Sequence, residues 1–163
     1  VSRPDSVRRR LVIAWGNDAR GDDALGPLLL DALRTRAADA SWAVGVTWRR
    51  EHQLQVELVE ALQACDSVLF IDASHGAAPP FRVTRLTPAA VRTVSTHSLP
   101  PSALLRVYLD VYRAAPPPAT LLAVRGASFE LGAPLTTSAR AHLGAALDWA
   151  VEWLARSATD ATA

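Results

Sequence analysis

Short apolar runs alternate with amphipathic stretches along the whole chain, in the manner of strands and helices taken in turn. Residues 10–14 predict a first strand. Residues 23–36 follow as a helix with Leu25, Leu28, Leu29, Ala32 and Leu33 at helical spacing. Asp22 or Asp23 is expected to cap it, since the helix dipole favours a carboxylate there. Residues 43–48 predict a second strand, and residues 56–64 a helix carrying Val56, Val59 and Leu62. The continuous apolar run 67–71 has the character of a strand buried on both faces, and it ends on Asp72. Residues 81–86 alternate and suit a sheet edge. Pro100 and Pro101 open a helix running to about residue 114, which Pro116, Pro117 and Pro118 stop. Residues 120–125 give the last strand and 137–156 the last helix, whose Trp149 and Trp153, one turn apart, are expected to pack in the core. The order βαβαββαβα predicts an α/β fold around a largely parallel sheet.

Length and composition narrow the function classes. A chain of 163 residues, half of them hydrophobic and a fifth charged, is expected to form a single domain over residues 1–163. Residues 1–9 and the small, polar tail 157–163 are expected to be disordered. No apolar stretch reaches the roughly 18 residues of a membrane span, and the formal net charge of +1 gives no electrostatic case for nucleic acid. The apolar run behind Arg8, Arg9 and Arg10 is too short for a signal-peptide core. Together with the single Cys65, which has no internal disulfide partner and suits a buried structural thiol, this predicts a cytoplasmic protein.

Candidate chemistry concentrates at the first corner, Gly16-Asn17-Asp18-Ala19-Arg20-Gly21-Asp22-Asp23-Ala24-Leu25-Gly26. The Gly16-x4-Gly21 spacing imitates a phosphate-binding loop, but Asp22 and Asp23 follow where Lys and Ser or Thr would be needed. Two carboxylates there repel phosphate and attract a cation or a proton. Asp72 ends a strand, and His97 lies in the loop Val94-Ser95-Thr96-His97-Ser98. The carboxyl ends of parallel strands share one edge, so Asp23, Asp72 and His97 can converge, as ligands of a divalent metal or as an acid–base set. Each also has an ordinary reading: a helix cap for Asp23, a turn acceptor for Asp72, a surface histidine for His97. His75 is a weaker candidate, His52 and His142 suit solvent-facing or packing roles, and no HExxH spacing occurs.

The first corner resembles the N-terminal signature of the nickel–iron hydrogenase maturation endopeptidases. So do Val68-Leu69-Phe70-Ile71-Asp72-Ala73 and Thr96-His97-Ser98-Leu99-Pro100-Pro101, while residues 126–135 resemble the C-terminal signature. The likeness runs in order from about residue 11 to 155. It implies a three-layer α/β/α fold and an endopeptidase that removes a C-terminal extension from the hydrogenase large-subunit precursor after nickel insertion. It implies Asp23, Asp72 and His97 as metal contacts, with Asp23 and Asp72 also serving catalysis. The nickel is supplied by the precursor, so no resident cofactor is required, and the free enzyme is expected to be a monomer. Asp22 is expected to cap the helix or to help hold the corner, and Thr136 and Thr137 stand where the family often has Ser after Leu, which is expected to touch a helix cap and little else. Two other classes stay open: an autonomous metal-dependent amide or ester hydrolase with resident zinc or manganese, and a non-enzymatic nickel-binding accessory module.

Overall fold

In a computed structural model, which describes residues 7–90 and 99–159, the chain forms one five-stranded sheet covered on both faces by helices. The strands are β1 (Arg10–Trp15), β2 (Val46–Glu51), β3 (Ser67–Ser74), β4 (Phe81–Leu86) and β5 (Ala119–Arg125). The helices are α1 (Leu25–Ala37), α2 (Val59–Gln63), α3 (Pro101–Tyr112) and α4 (Thr137–Thr159). Strand order is β2-β1-β3-β5-β4, parallel except for β4, which runs antiparallel to β5.

The two-residue period of the central strands divides the core between the two faces. Val12 and Ala14 of β1, with Leu69, Ile71 and Ala73 of β3, pack beneath α1 and α4. Leu11, Ile13, Val68 and Phe70 point the other way, toward α2 and α3. This is the three-layer α/β/α arrangement, with strand β3 buried almost throughout because it lies at the middle of the sheet. The edge strands β2 and β4 are half-exposed and correspondingly polar.

Several local expectations change in the structure. A single 3-10 turn, Gly21–Ala24, precedes α1, so the α-helix starts at Leu25. The buried stripe of α1 is Leu25, Leu29, Leu30 and Leu33, and Leu28 is exposed. Each of those four leucines contributes roughly 1.5–3 kcal/mol by leaving water. Strand β2 starts and ends three residues later than the apolar pattern predicts, because the 3-10 turn Ser41–Ala43 takes Ala43 and a turn at residues 44–45 follows it. Trp149 and Trp153 are half-buried against the α1/α4 core, Trp149 with its ring 6.1 Å from Phe81.

Residues expected to be disordered are partly held. Helix α4 continues through Ser157 to Thr159, and the Ser157 hydroxyl donates to the Trp153 carbonyl at 2.7 Å. At the other end, the Arg9 N–H donates to Asp66 at 2.8 Å and its guanidinium meets the same carboxylate at 2.9 Å, fixing the entry to β1. Among the described residues, no helix is long and apolar enough to cross a membrane.

Candidate active site

The carboxyl edge of the parallel strands opens into a cleft of about 560 Å³ lined by Trp15, Asn17, Arg20, Asp23, His52 and Asp72 among others. The first corner builds one wall. Gly16 and Gly21 hold positive φ values of 148° and 53°, a region that side chains with a Cβ rarely enter. A Cβ on Gly16 would strike the Asp23 carbonyl, so this glycine lets the strand end lie against Asp23. The Asp23 carboxylate accepts the Asn17 N–H at 2.9 Å, closing the loop on itself.

Neither Asp22 nor Asp23 caps a helix with its side chain, as the sequence had suggested. Asp22 is fully buried and instead joins two distant loops. Its carboxylate accepts the N–H groups of Ala127 (2.7 Å), Ser128 (3.2 Å) and Thr136 (2.8 Å), and the Thr136 hydroxyl at 2.8 Å. Burial alone would raise this carboxyl, but the hydrogen bonds from Thr136, Ala127 and Ser128 outweigh it and hold the group below its ordinary value. The Asp22 N–H also donates to the Ser128 carbonyl, and the Gly132 N–H to that of Ala19. The expectation that Asp22 helps hold the corner therefore stands in a specific form: the acceptor sits on the corner and its donors on the loop after β5. Thr136 does more than cap α4, since its Oγ1 both accepts the Ala139 N–H and donates to Asp22.

Asp72 lies on β3, two residues short of the strand end, and continues the face carrying Val68 and Phe70. Its carboxyl is pushed up to about 7. Burial is the main cause, and the negative charge of Asp23 adds to it, while the Ala73 N–H at 2.8 Å pulls in the opposite direction. One carboxyl that readily holds a proton thus shares the cleft with another. Such a pair can take up a cation with loss of the proton, or move a proton to and from water.

Of the three residues proposed from sequence, the cleft unites Asp23 and Asp72. His97 lies outside the described residues. Among those described, no group of three or more His, Cys, Asp and Glu side chains is arranged to hold a metal ion. His75 is not among the residues lining the cleft but packs at a tilt against Phe129, ring centres 4.0 Å apart, and His142 Nδ1 lies 2.8 Å from the Arg125 carbonyl. Half-buried Cys65 packs against the α2/α3 core, and burial pushes its thiol up to about 12.

The candidate corner already contained Arg20, and Trp15 stood beside it, neither with a role of its own; His52 and Gln53 were missed as cleft residues. Trp15 shares the face of Leu11 and Ile13, packs edge-on to Phe70 at 6.1 Å, and was legible from the strand period. His52, expected in a solvent-facing or packing role, follows the polar run Arg49-Arg50-Glu51, which carries no apolar signal. With the strand end at Glu51, His52 is the first residue beyond the same sheet edge as the corner.

Neither a protein-family model nor a curated protein sequence matches the chain. Solved structures do. The NiFe hydrogenase maturation protease HycI of Thermococcus kodakarensis KOD1 superposes with a TM-score of 0.67 at 21% identity, covering 93% of this chain and 94% of that one. The hydrogenase maturating endopeptidase HybD of E. coli gives 0.68 at 22% identity, covering 91% and 93%. A hydrogenase 2 maturation peptidase from a Thaumarchaeota archaeon gives 0.62 at 24% identity, covering 90% and 98%. Over nearly its whole length, then, this chain has the fold of solved hydrogenase maturation proteases.

Proposed function

We propose that this protein is an endopeptidase that removes a C-terminal extension from a nickel–iron hydrogenase large-subunit precursor once nickel has been inserted. The observation that carries the reading is the Asp23–Asp72 cleft at the carboxyl edge of this particular fold, with the Asp72 carboxyl raised to about 7. The resemblance of the corner, the β3 end and the loop after β5 to the signatures of those enzymes supports it.

In this reading the nickel arrives as part of the substrate, held by precursor thiolates. Asp23 and Asp72 offer it oxygen ligands and His97 a nitrogen, so that docking depends on a filled metal centre. A divalent cation that takes the place of the Asp72 proton offsets the repulsion the two ionised carboxylates would otherwise exert, so both can bind it as anions. A carboxylate at this edge can also orient and deprotonate the attacking water. Asp22 is taken up by Ala127, Ser128 and Thr136. It fixes the corner that carries Asp23.

The test is a cleavage assay on nickel-loaded precursor, read by intact mass, with wild type, Asp23→Asn, Asp72→Asn and a nickel-free precursor in parallel. Nickel-dependent loss of one defined C-terminal peptide, abolished by either substitution in a folded protein, is the expected result. Survival of cognate nickel-loaded precursor in the presence of folded wild type would refute the assignment. Hydrolysis of small amides by protein carrying its own zinc or manganese would favour the autonomous hydrolase instead.

A further inference from the structure

We propose that Arg20 is a further catalytic residue of this cleft, holding the scissile carbonyl oxygen as it becomes negatively charged. The inference rests on the endopeptidase reading and adds a group that the carboxylates cannot replace. Among the described residues, Arg20 is the one arginine on the cleft wall.

Its surroundings leave its guanidinium available. Asp18, two residues away, is paired with Arg50, which also meets Asp31 at 2.9 Å. Asp22 is taken up by its four donors from the loop after β5. The Asp23 carboxylate accepts the Asn17 N–H, and Asp72 accepts that of Ala73. Among the described residues, no carboxylate or carbonyl pairs with the Arg20 side chain. The backbone beneath it is fixed: the Arg20 N–H donates to the Asn17 carbonyl at 3.0 Å, and the Arg20 carbonyl accepts the Asp23 N–H at 3.1 Å. Among the described residues the result is an exposed cation without a partner on a braced loop, three residues before one cleft carboxylate.

Peptide hydrolysis in a cleft with two carboxylates has an electrostatic difficulty that Arg20 resolves. Water adds to the carbonyl carbon and gives its proton to a carboxylate, and the carbonyl π electrons become a lone pair on oxygen. Collapse of that adduct re-forms the carbonyl, breaks the C–N bond and returns the proton to the departing amine. Between the two events the oxygen carries a full negative charge, which the carboxylate that did not take the proton repels. A guanidinium is always protonated and presents paired N–H donors, so it favours this oxyanion over the neutral carbonyl. Its effect therefore belongs in kcat more than in KM.

The experiment measures steady-state cleavage of nickel-loaded precursor by wild type, Arg20→Ala and Arg20→Lys, with circular dichroism confirming fold. Arg20→Ala is expected to lower kcat about 100-fold with KM changed less than about threefold, and Arg20→Lys to recover part of the loss. Unchanged kcat in folded Arg20→Ala would overturn the proposal while leaving the endopeptidase standing. A raised KM at constant kcat would overturn it too, by making Arg20 a docking group. If wild type leaves the precursor uncut, the endopeptidase reading falls and this assignment falls with it.

Discussion

Replacing Asp72 by Asn is expected to make the protein more stable at neutral pH and inactive. In the folded protein this carboxyl rises from its ordinary 3.8 to about 7. The folded state thus holds the proton more tightly than the unfolded chain, and wild-type stability falls as pH rises from about 4 through 7. At about 1.4 kcal/mol for each tenfold change in proton affinity, the cost reaches about 4 kcal/mol once the folded group is ionised. Asn carries no charge, and its side-chain oxygen can still accept the Ala73 N–H that Asp72 accepts at 2.8 Å. Burying an amide N–H2 without a full set of partners returns about 1–3 kcal/mol of that gain. That penalty does not vary with pH, so the informative quantity is the change in the gap between variant and wild type. Urea unfolding at pH 5 and pH 8 is expected to show the Asp72→Asn advantage growing by about 2–3 kcal/mol between them. A gap that stays constant with pH would refute the raised proton affinity, and with it the account of how the cleft attracts a cation.

Two further outcomes follow from the scaffold. Asp22→Ala leaves three N–H groups and a hydroxyl without their acceptor, and is expected to cost about 3–5 kcal/mol, with faster amide exchange at Ala127, Ser128 and Thr136; a loss under about 1 kcal/mol would mean the two loops do not depend on it. Gly26 lies where a Cβ would strike the Trp15 carbonyl and come within 3.2 Å of the Ile71 carbonyl, so Gly26→Ala is expected to destabilise by about 2–3 kcal/mol, and a melting temperature equal to wild type would contradict that close approach.

The elements that bury both faces, or one clean stripe, were legible in the chain. The run 67–71 marked the central strand because a strand between two helical layers needs apolar residues at consecutive positions. The glycines and acids of residues 16–26 marked the corner, since a strand-to-helix turn with positive φ and close packing admits few other residues. Edge strand β2 was misplaced because its exposed face, with Arg49, Arg50 and Glu51 at its end, leaves no apolar pattern to follow. That shift by itself hid His52 from the reckoning of strand ends.

By itself, then, the sequence determined the alternation of elements, the parallel sheet, and the two carboxylates Asp23 and Asp72 at one sheet edge. These are local properties, set by period, turn chemistry and the shared direction of parallel strands. Tertiary structure decided what each carboxylate does. Asp22 and Asp23 are adjacent in the chain and chemically identical, yet one is buried under four donors from a loop more than 100 residues away, and the other faces an open cleft. Asp72 became a proton-holding group only when burial and the charge of Asp23 met at its position. Proton affinity and the choice of hydrogen-bond partner depend on distances through space, and those exist only once the sheet has brought its strand ends together.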